Sequence, residues 1–342
     1  MPRDLRRLLS MFWSGSVTWS RRAAKDLEFW LSLDLGSLRS PVSADTFEAL
    51  VDGVYVDPST FTVNDISLFA CDASATAGGG GEVVASNIDG LVMTSKEPFF
   101  MTLSKKLSKK SSGLRELTVI WWLLQAFQDT CRSKVIVFTD SWVARNAIRY
   151  GSKTKCMQDL ARKIFLWCVR RGICLCPVWL ARDEKVMVEA DARSRLEDTH
   201  GHSTSKACFA RADAIARRLW HRSISFDRMA TPDNVMPPKG MGPSLPFNSR
   251  WRQPGSAGVD MFAQHIDSWR GNINFVHPPV PLIGRVCSFL SATDSRSIVI
   301  VPEHLVHKSW WASYVLPASP HVRAVEVVNG MRIVAIDSRV EP

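Results

Sequence analysis

The sequence predicts an α/β protein: a mixed five-stranded sheet with flanking helices, followed by a smaller C-terminal α/β domain. Three observations carry that expectation. Residues 66–81 read Ile-Ser-Leu-Phe-Ala-Cys-Asp-Ala-Ser-Ala-Thr-Ala-Gly-Gly-Gly-Gly, an apolar run that ends in a carboxylate and then in small residues. From there to about residue 200, strand-like runs alternate with helical patterns. Between residues 201 and 256 the composition turns to Pro, Gly, Ser and Asn after a basic helical stretch, and ordered-looking patterns then resume. With 342 residues, 46% of them hydrophobic, the chain can bury a substantial core and exceeds most single domains.

In order, residues 1–60 read as an accessory or connection segment. Ala24, Leu27, Trp30 and Leu31 form one helical stripe there, and Pro41 and Pro58 punctuate the remainder of the segment. The arginines near the start resemble a targeting segment, but Asp4 and the missing apolar block argue against one. Residues 61–200 form the expected α/β domain. Its first strand is residues 66–72. The glycines 78–81 suit a tight hairpin into a second strand, 82–86, and a third spans 90–96. A helix over 114–128 presents Leu114, Leu117, Ile120, Trp121, Leu124 and Phe127 on one face. A fourth strand, 134–139, ends at Asp140, and Ser141 can cap the helix 142–150. A helix over 157–171 stops at Gly172, a fifth strand covers 173–180, and a short helix around 189–196 carries Asp191 near its start. Residues 201–256 read as a basic helix, 205–221, and a linker. Residues 257–342 hold strands at 274–276 and 297–301 with a helix between, over 282–290.

The bulk numbers narrow the function. A net charge of +10 and a pI of about 9.4 point weakly to a polyanionic partner, nucleic acid before membrane. Eight cysteines in a chain of this length make no disulfide framework. Cys174 and Cys176 lack a second pair at zinc spacing and read as core thiols of an intracellular protein, nuclear or cytoplasmic. The longest apolar run, residues 117–127, is interrupted by Gln125 and is too short for a membrane span.

Four acidic residues occupy telling places. Asp72 and Asp140 end two strands, Glu116 lies in the first turn of the long helix, and Asp191 belongs to the last short helix. If the first and fourth strands are neighbours, Asp72 and Asp140 emerge side by side. Like charges that close raise each other's pKa unless a cation neutralises them. Magnesium accepts a sparse shell of carboxylates completed by water and phosphate. Two such ions about 4 Å apart can activate a water and stabilise a leaving oxygen in phosphodiester cleavage. Each residue also has a plainer reading: a turn at Asp72, a helix-dipole partner at Glu116, a cap at Asp140 and a solvated charge at Asp191.

The segments Cys71-Asp72-Ala73-Ser74, Leu114-Arg115-Glu116-Leu117, Phe138-Thr139-Asp140-Ser141 and Ala190-Asp191-Ala192-Arg193-Ser194-Arg195 resemble, in order, the four motifs of type 1 ribonuclease H domains. They resemble most closely the domains that follow reverse transcriptases in DIRS-type, tyrosine-recombinase retrotransposons. Trp179-Leu180-Ala181-Arg182 resembles the W-x-x-R element that precedes the last aspartate there, although Met187 stands near the place of a common asparagine and the interval to Asp191 is slightly expanded. The resemblance implies a magnesium-dependent (or manganese-dependent) endonuclease that cuts the RNA strand of an RNA–DNA hybrid. It implies two ions held by Asp72, Glu116, Asp140 and Asp191. Other retroelement proteins become candidate partners. Nucleic-acid contacts are expected from Ser74, Lys105, Lys106, Lys109, Lys110, Arg145, Asn146, Arg149, Arg182 and Arg195, with Lys153 and Lys155 extending the second basic cluster. Solvated faces are the plainer reading of both clusters.

The C-terminal part carries a second resemblance. Val259-Asp260-Met261-Phe262-Ala263, Phe275-Val276-His277-Pro278-Pro279 and Ile298-Val299-Ile300-Val301-Pro302 with Trp310-Trp311 are similar to the region after ribonuclease H in those elements. That region resembles a phage-type adenine methyltransferase, in which an N-P-P-Y motif grips a flipped base. His277 and Val280 replace its asparagine and aromatic residue, and the glycine-rich cofactor loop is missing, so a degenerate docking fold is expected. Two alternatives to the nuclease stand: a decayed or domesticated nucleic-acid-binding module, and an active methyltransferase-like domain.

Overall fold

A computed structural model describes residues 66–86, 90–94, 96–196, 203–237, 242–305, 307–309, 311, 313 and 320–339. The expected accessory segment, residues 1–60 with its helical stripe, lies outside them, as does Trp310. The chain divides into two compact units, residues 1–196 and 197–342.

In the first unit, β1 (Ile66–Ala73) and β2 (Ala77–Ser86) form an antiparallel pair. The far edge of β2 is shared by two short strands, β3 (Gly90–Met93) and β4 (Phe99–Thr102). On the other side β1 pairs in parallel with β5 (Lys134–Thr139), and β5 with β6 (Cys174–Trp179). The order β3-β2-β1-β5-β6 is a mixed sheet of five positions. The extra strand β4 makes six in all, because the edge position beside β2 is split between β3 and β4.

Period-two alternation decides what each strand residue faces. Phe69, Cys71, Val135 and Val137 pack with α2 (Ser112–Ala126), α3 (Trp142–Tyr150) and α4 (Lys155–Arg170) in one core. Ala70, Ile136, Phe138 and Cys176 pack on the other face with α5 (Lys185–Ser194). A short α1 (Lys105–Ser108) precedes α2. Ser141 caps α3 by accepting from the Ala144 N–H, and the positive φ of Gly172 ends the α4 turn, both as the sequence suggests.

Two readings of this unit change. The glycines 78–81 lie inside β2, and the hairpin turns at residues 74–76 instead. The reason is close approach on both faces of the strand. A Cβ on Gly78 would stand 2.3 Å from a Val119 methyl, and one on Gly79 would stand 2.1 Å from the backbone nitrogen of Ser194. Asp191, expected near the start of its helix, sits in the last turn of α5. A carboxylate there opposes the helix dipole, and its ion pair with Arg195 offsets the cost.

The second unit is built on a seven-stranded sheet: β7 (Phe226–Asp227), β8 (Phe247–Ser249), β9 (Ser256–Val259), β10 (Ile273–Val276), β11 (Arg296–Pro302), β12 (Val322–Val328) and β13 (Met331–Asp337), in the order β12-β13-β11-β10-β7-β8-β9. Strands β7 to β11 run parallel, and β13 is antiparallel to β11 and β12. On one face Phe275, Ile298 and Ile300 pack against Phe209, Ala212 and Ile215 of α6 (Lys206–Trp220). On the other, Val276, Val299 and Val301 pack with Trp269 of α7 (Ile266–Arg270) and with Ile283, Val286 and Leu290 of α8 (Ile283–Ala292).

The basic helix expected over 205–221 is present as α6, whereas the linker expected after it gives way to the short sheet strands β7, β8 and the start of β9, and the second sheet has more strands than the first. Strands of two to four residues among prolines and glycines are too short to show a period. The basic residues of α6 line its outer side, where Arg211 and Arg218 share the Glu326 carboxylate.

Candidate metal centre and its surroundings

The strand register brings the first two carboxylates together. Partners Ile66↔Lys134 through Ala70↔Phe138 keep a constant offset, which carried two residues further sets Asp72 opposite Asp140. Glu116 reaches the same spot from the first turns of α2. One carboxylate oxygen from each of Asp72, Glu116 and Asp140 lies within 4.8 Å of the others.

Each carboxylate is held differently. Asp72 is 5% exposed, and its Oδ2 accepts a 2.9 Å hydrogen bond from the Ser194 hydroxyl. Burial raises its pKa, and the charges of Asp140 and Asp191 add to that, against the Ser194 and Ala73 hydrogen bonds. Glu116, also 5% exposed, is pushed up to about 9, first by burial and then by Asp72 and Asp140. Its Oε2 is buried without a hydrogen-bond partner. Asp140 accepts from both Nε and Nη2 of Arg182 at 2.7 Å on one oxygen, and its backbone oxygen accepts from the Trp179 indole at 3.0 Å.

Asp191 stands apart from the trio. It forms a two-point ion pair with Arg195, with Nε and Nη2 each 2.7 Å from a carboxylate oxygen, and this pair holds its pKa below the ordinary value. Its links to the cluster are a side-chain hydrogen bond with Asp72 and the Ser194 hydroxyl, which reaches both the Asp191 carbonyl at 2.9 Å and the Asp72 carboxylate.

The donor set fits a hard divalent cation. Three carboxylates this close repel one another in a dry setting, and an unpartnered buried oxygen carries a desolvation cost that a cation would remove. Oxygen-only donors favour magnesium or manganese over softer metals.

The expected nucleic-acid contacts fall into three groups. Lys105, Lys106, Lys109 and Lys110 are exposed around α1. Arg145, Asn146 and Arg149 lie along α3, where the Arg145 guanidinium stacks 4.5 Å above the Trp142 ring and donates to Asn146. Lys153 and Lys155 follow on the surface, Lys155 paired with Asp159. Ser74 closes the β1–β2 turn, bonding Ala77 and the Ser194 carbonyl, while Arg182 and Arg195 sit on the site's own carboxylates.

Sequence reasoning passed over Ser194 and Arg193. Ser194 is inside the A-D-x-x-S-R motif, so its signal was the motif itself. Arg193 ties α5 to the sheet through the Gly80 and Thr94 carbonyls. All eight cysteines are free thiols. In the second unit His277 follows β10, with Nδ1 at 2.8 Å from the Thr204 hydroxyl, and Val280 is 46% exposed.

A mixed sheet of this order with flanking helices is consistent with a ribonuclease H-like fold, and the carboxylate trio at its strand ends is compatible with a divalent metal. No protein-family model matches the chain, and no curated protein matches it. Among solved structures it is similar to ribonuclease H1 from the halophilic archaeon Halobacterium salinarum NRC-1, at 15% identity over 37% of this chain and 93% of that one, with a TM-score of 0.29. It is also similar to LC11-RNase H1 isolated from compost, at 16% identity over 37% and 89%, TM-score 0.26. A third is the N-terminal RNase H domain of a Mycobacterium tuberculosis protein, fused to maltose binding protein, at 14% identity over 37% and 95%, TM-score 0.24. Among the described residues, no helix is long and apolar enough to cross a membrane.

Proposed function

We propose that the first unit is a metal-dependent endonuclease that cuts the RNA strand of RNA–DNA hybrids, derived from a DIRS-type retrotransposon. The observation that carries this reading is the convergence of Asp72, Glu116 and Asp140 within 4.8 Å, with one buried Glu116 oxygen lacking a partner. Asp72, Glu116 and Asp140 hold magnesium, and Asp191 completes the set from the edge. Divalent magnesium supplies, when bound, an activated water and positive charge for the leaving oxygen.

The chain's own residues set the geometry for that chemistry. Ser194 fixes the Asp72 carboxylate by hydrogen bond, and the Ala73 backbone N–H supports both Asp72 and Glu116. Trp179 anchors the Asp140 backbone, and Arg182 orients its side chain. Exposed lysines around α1 and the arginines of α3 follow the phosphates of the duplex, a contact that reads shape and weakens with salt.

The test is a labelled hybrid incubated with purified chain in magnesium and in EDTA. Magnesium-dependent shortening of the RNA strand alone is expected. Hybrid that stays intact across magnesium and manganese concentrations sinks the enzymatic reading and leaves a binding module.

A further inference from the structure

Two exposed tryptophans beside Asp140 are only partly explained by the carboxylate site. Trp142 is 55% exposed and Trp179 43%, whereas Trp121 in the same unit is buried and packs edge-on against Trp167. Large apolar rings left in water forgo the stabilisation that burial would give, so a pair of them calls for an occupant. Both belong to the walls of the site. Trp142 opens α3 two residues after Asp140, and Trp179 closes β6 with its indole nitrogen on the Asp140 backbone oxygen.

The rings meet edge to face, with centroids 6.2 Å apart and planes at 82°. The Arg145 guanidinium lies 4.5 Å over Trp142. Two indoles have four faces. Arg145 takes one and the edge contact takes another, which leaves ring surface open on both residues. Flat apolar faces next to the guanidinium groups of Arg145 and Arg182, on a chain of net charge +10, complement the two halves of a nucleotide: a π-face and a phosphate. Inside a duplex the base faces cover one another, and a flanked indole between two protein walls admits a splayed, unpaired base more readily than the broad face of a terminal pair.

We propose that Trp142 and Trp179 form a stacking site for an unpaired nucleobase beside the carboxylate cluster. The chain then favours a hybrid that carries a single-stranded extension over a blunt one. This rests on the reading of the carboxylate cluster as a nucleic-acid site.

Fluorescence anisotropy with a labelled hybrid, blunt or with a short unpaired tail at either end, gives the ratio of the two affinities. It is measured in EDTA, where no strand is cut. The tail should tighten binding on the order of tenfold. Trp142→Ala should remove most of that gain, and Trp142→Phe, which keeps an aromatic face, should restore part of it. A 5-iodouracil placed in the tail should photocrosslink to Trp142 or Trp179 of the parent chain, a result that needs no folded variant.

A parent indifferent to the tail overturns the proposal, as does a well-folded Trp142→Ala that keeps the preference or a crosslink that maps elsewhere. Indifference coupled with a Trp142-dependent change in mass by light scattering would assign the rings to contact between copies. A chain indifferent to the tail that still cuts hybrid in magnesium keeps its nuclease reading, whereas one that neither binds nor cuts loses both.

Discussion

Both units bury charge, and they satisfy it in opposite ways. In the second unit Asp227 and Arg228 are nearly fully buried at the end of β7. Asp227 accepts from the Met229 and Met236 backbone N–H groups. Arg228 donates to Asn274 at 2.7 Å, to Asn248 at 3.0 Å and to the Ser268 hydroxyl at 2.9 Å, and it lies between the rings of Phe226 and Trp269. In the first unit Asp72, Glu116 and Asp140 crowd together, and one Glu116 oxygen has no donor. Burial alone therefore does not mark a site. Arg228 shifts downward to about 9 and Asp227 upward to about 7 because both are dry, yet each has its own set of hydrogen-bond partners. The carboxylate trio is distinguished by what it still needs.

The largest test of that contrast is Asp140→Asn. Asparagine keeps the size and removes one negative charge from the cluster. Cleavage should fall by roughly two orders of magnitude or more, since displaced groups cost that much in rate. The melting temperature in EDTA should match or exceed the parent's. A variant that melts far lower, or cuts as fast, would make Asp140 structural.

The opposite outcome is expected for Arg228→Met. It leaves Asn248, Asn274 and Ser268 acceptors unpaired in the core, so stability should drop by about 2 kcal/mol in chemical denaturation while metal affinity stays constant. A neutral result would show that Arg228 is less well satisfied than its contacts suggest.

Asp191→Asn should cost less cleavage than Asp140→Asn, about tenfold. Asp191 is partly exposed, and Arg195 balances its charge in a two-point ion pair. Equal losses from the two variants would join Asp191 to the cluster in function.

The smallest effect is the pH dependence of melting without metal. Glu116 moves from an ordinary 4.5 up to about 9 in the fold, and Asp72 shifts in the same direction. The folded state then holds more protons than the unfolded one, so stability falls as pH rises from about 4.5 to about 9. The chain in EDTA should melt a few degrees lower at about pH 8.5 than at about pH 6. Magnesium should flatten that trend, because it takes the deprotonated carboxylates. A flat profile in EDTA would mean that the trio is better solvated than its burial implies.

Much of the first unit was legible because its signals are long and coincide. Leu68 to Cys71 and Val135 to Phe138 are unbroken apolar strands ending in carboxylates, and α2 has a full apolar stripe. The strand β4 was not, since Phe99–Thr102 gives four residues after a proline. The glycine run misled because turn propensity and close approach ask for the same residue. Asp191's position depended on where α5 begins, and element ends are the least determined part of a pattern. In the second unit the buried faces of β10 and β11 were readable, whereas β7 and β8 are too short to carry a period. The first strand of the β12–β13 hairpin, Val-Arg-Ala-Val-Glu-Val-Val, has a readable alternation but carries no chemical motif to single it out.

The bare backbone of β2 also sets a distance. The last turn of α5 rests on Gly79 with no side chain between them. At that last turn the gap between helix and sheet, and with it the reach from Ser194 to Asp72, is thus gauged by main-chain contact. Replacement of outward-facing residues of α5 can change what the helix is made of and leave its distance from the sheet intact. One added methyl at Gly79 would act as a shim, lifting the helix end and detuning the aspartate without touching any carboxylate.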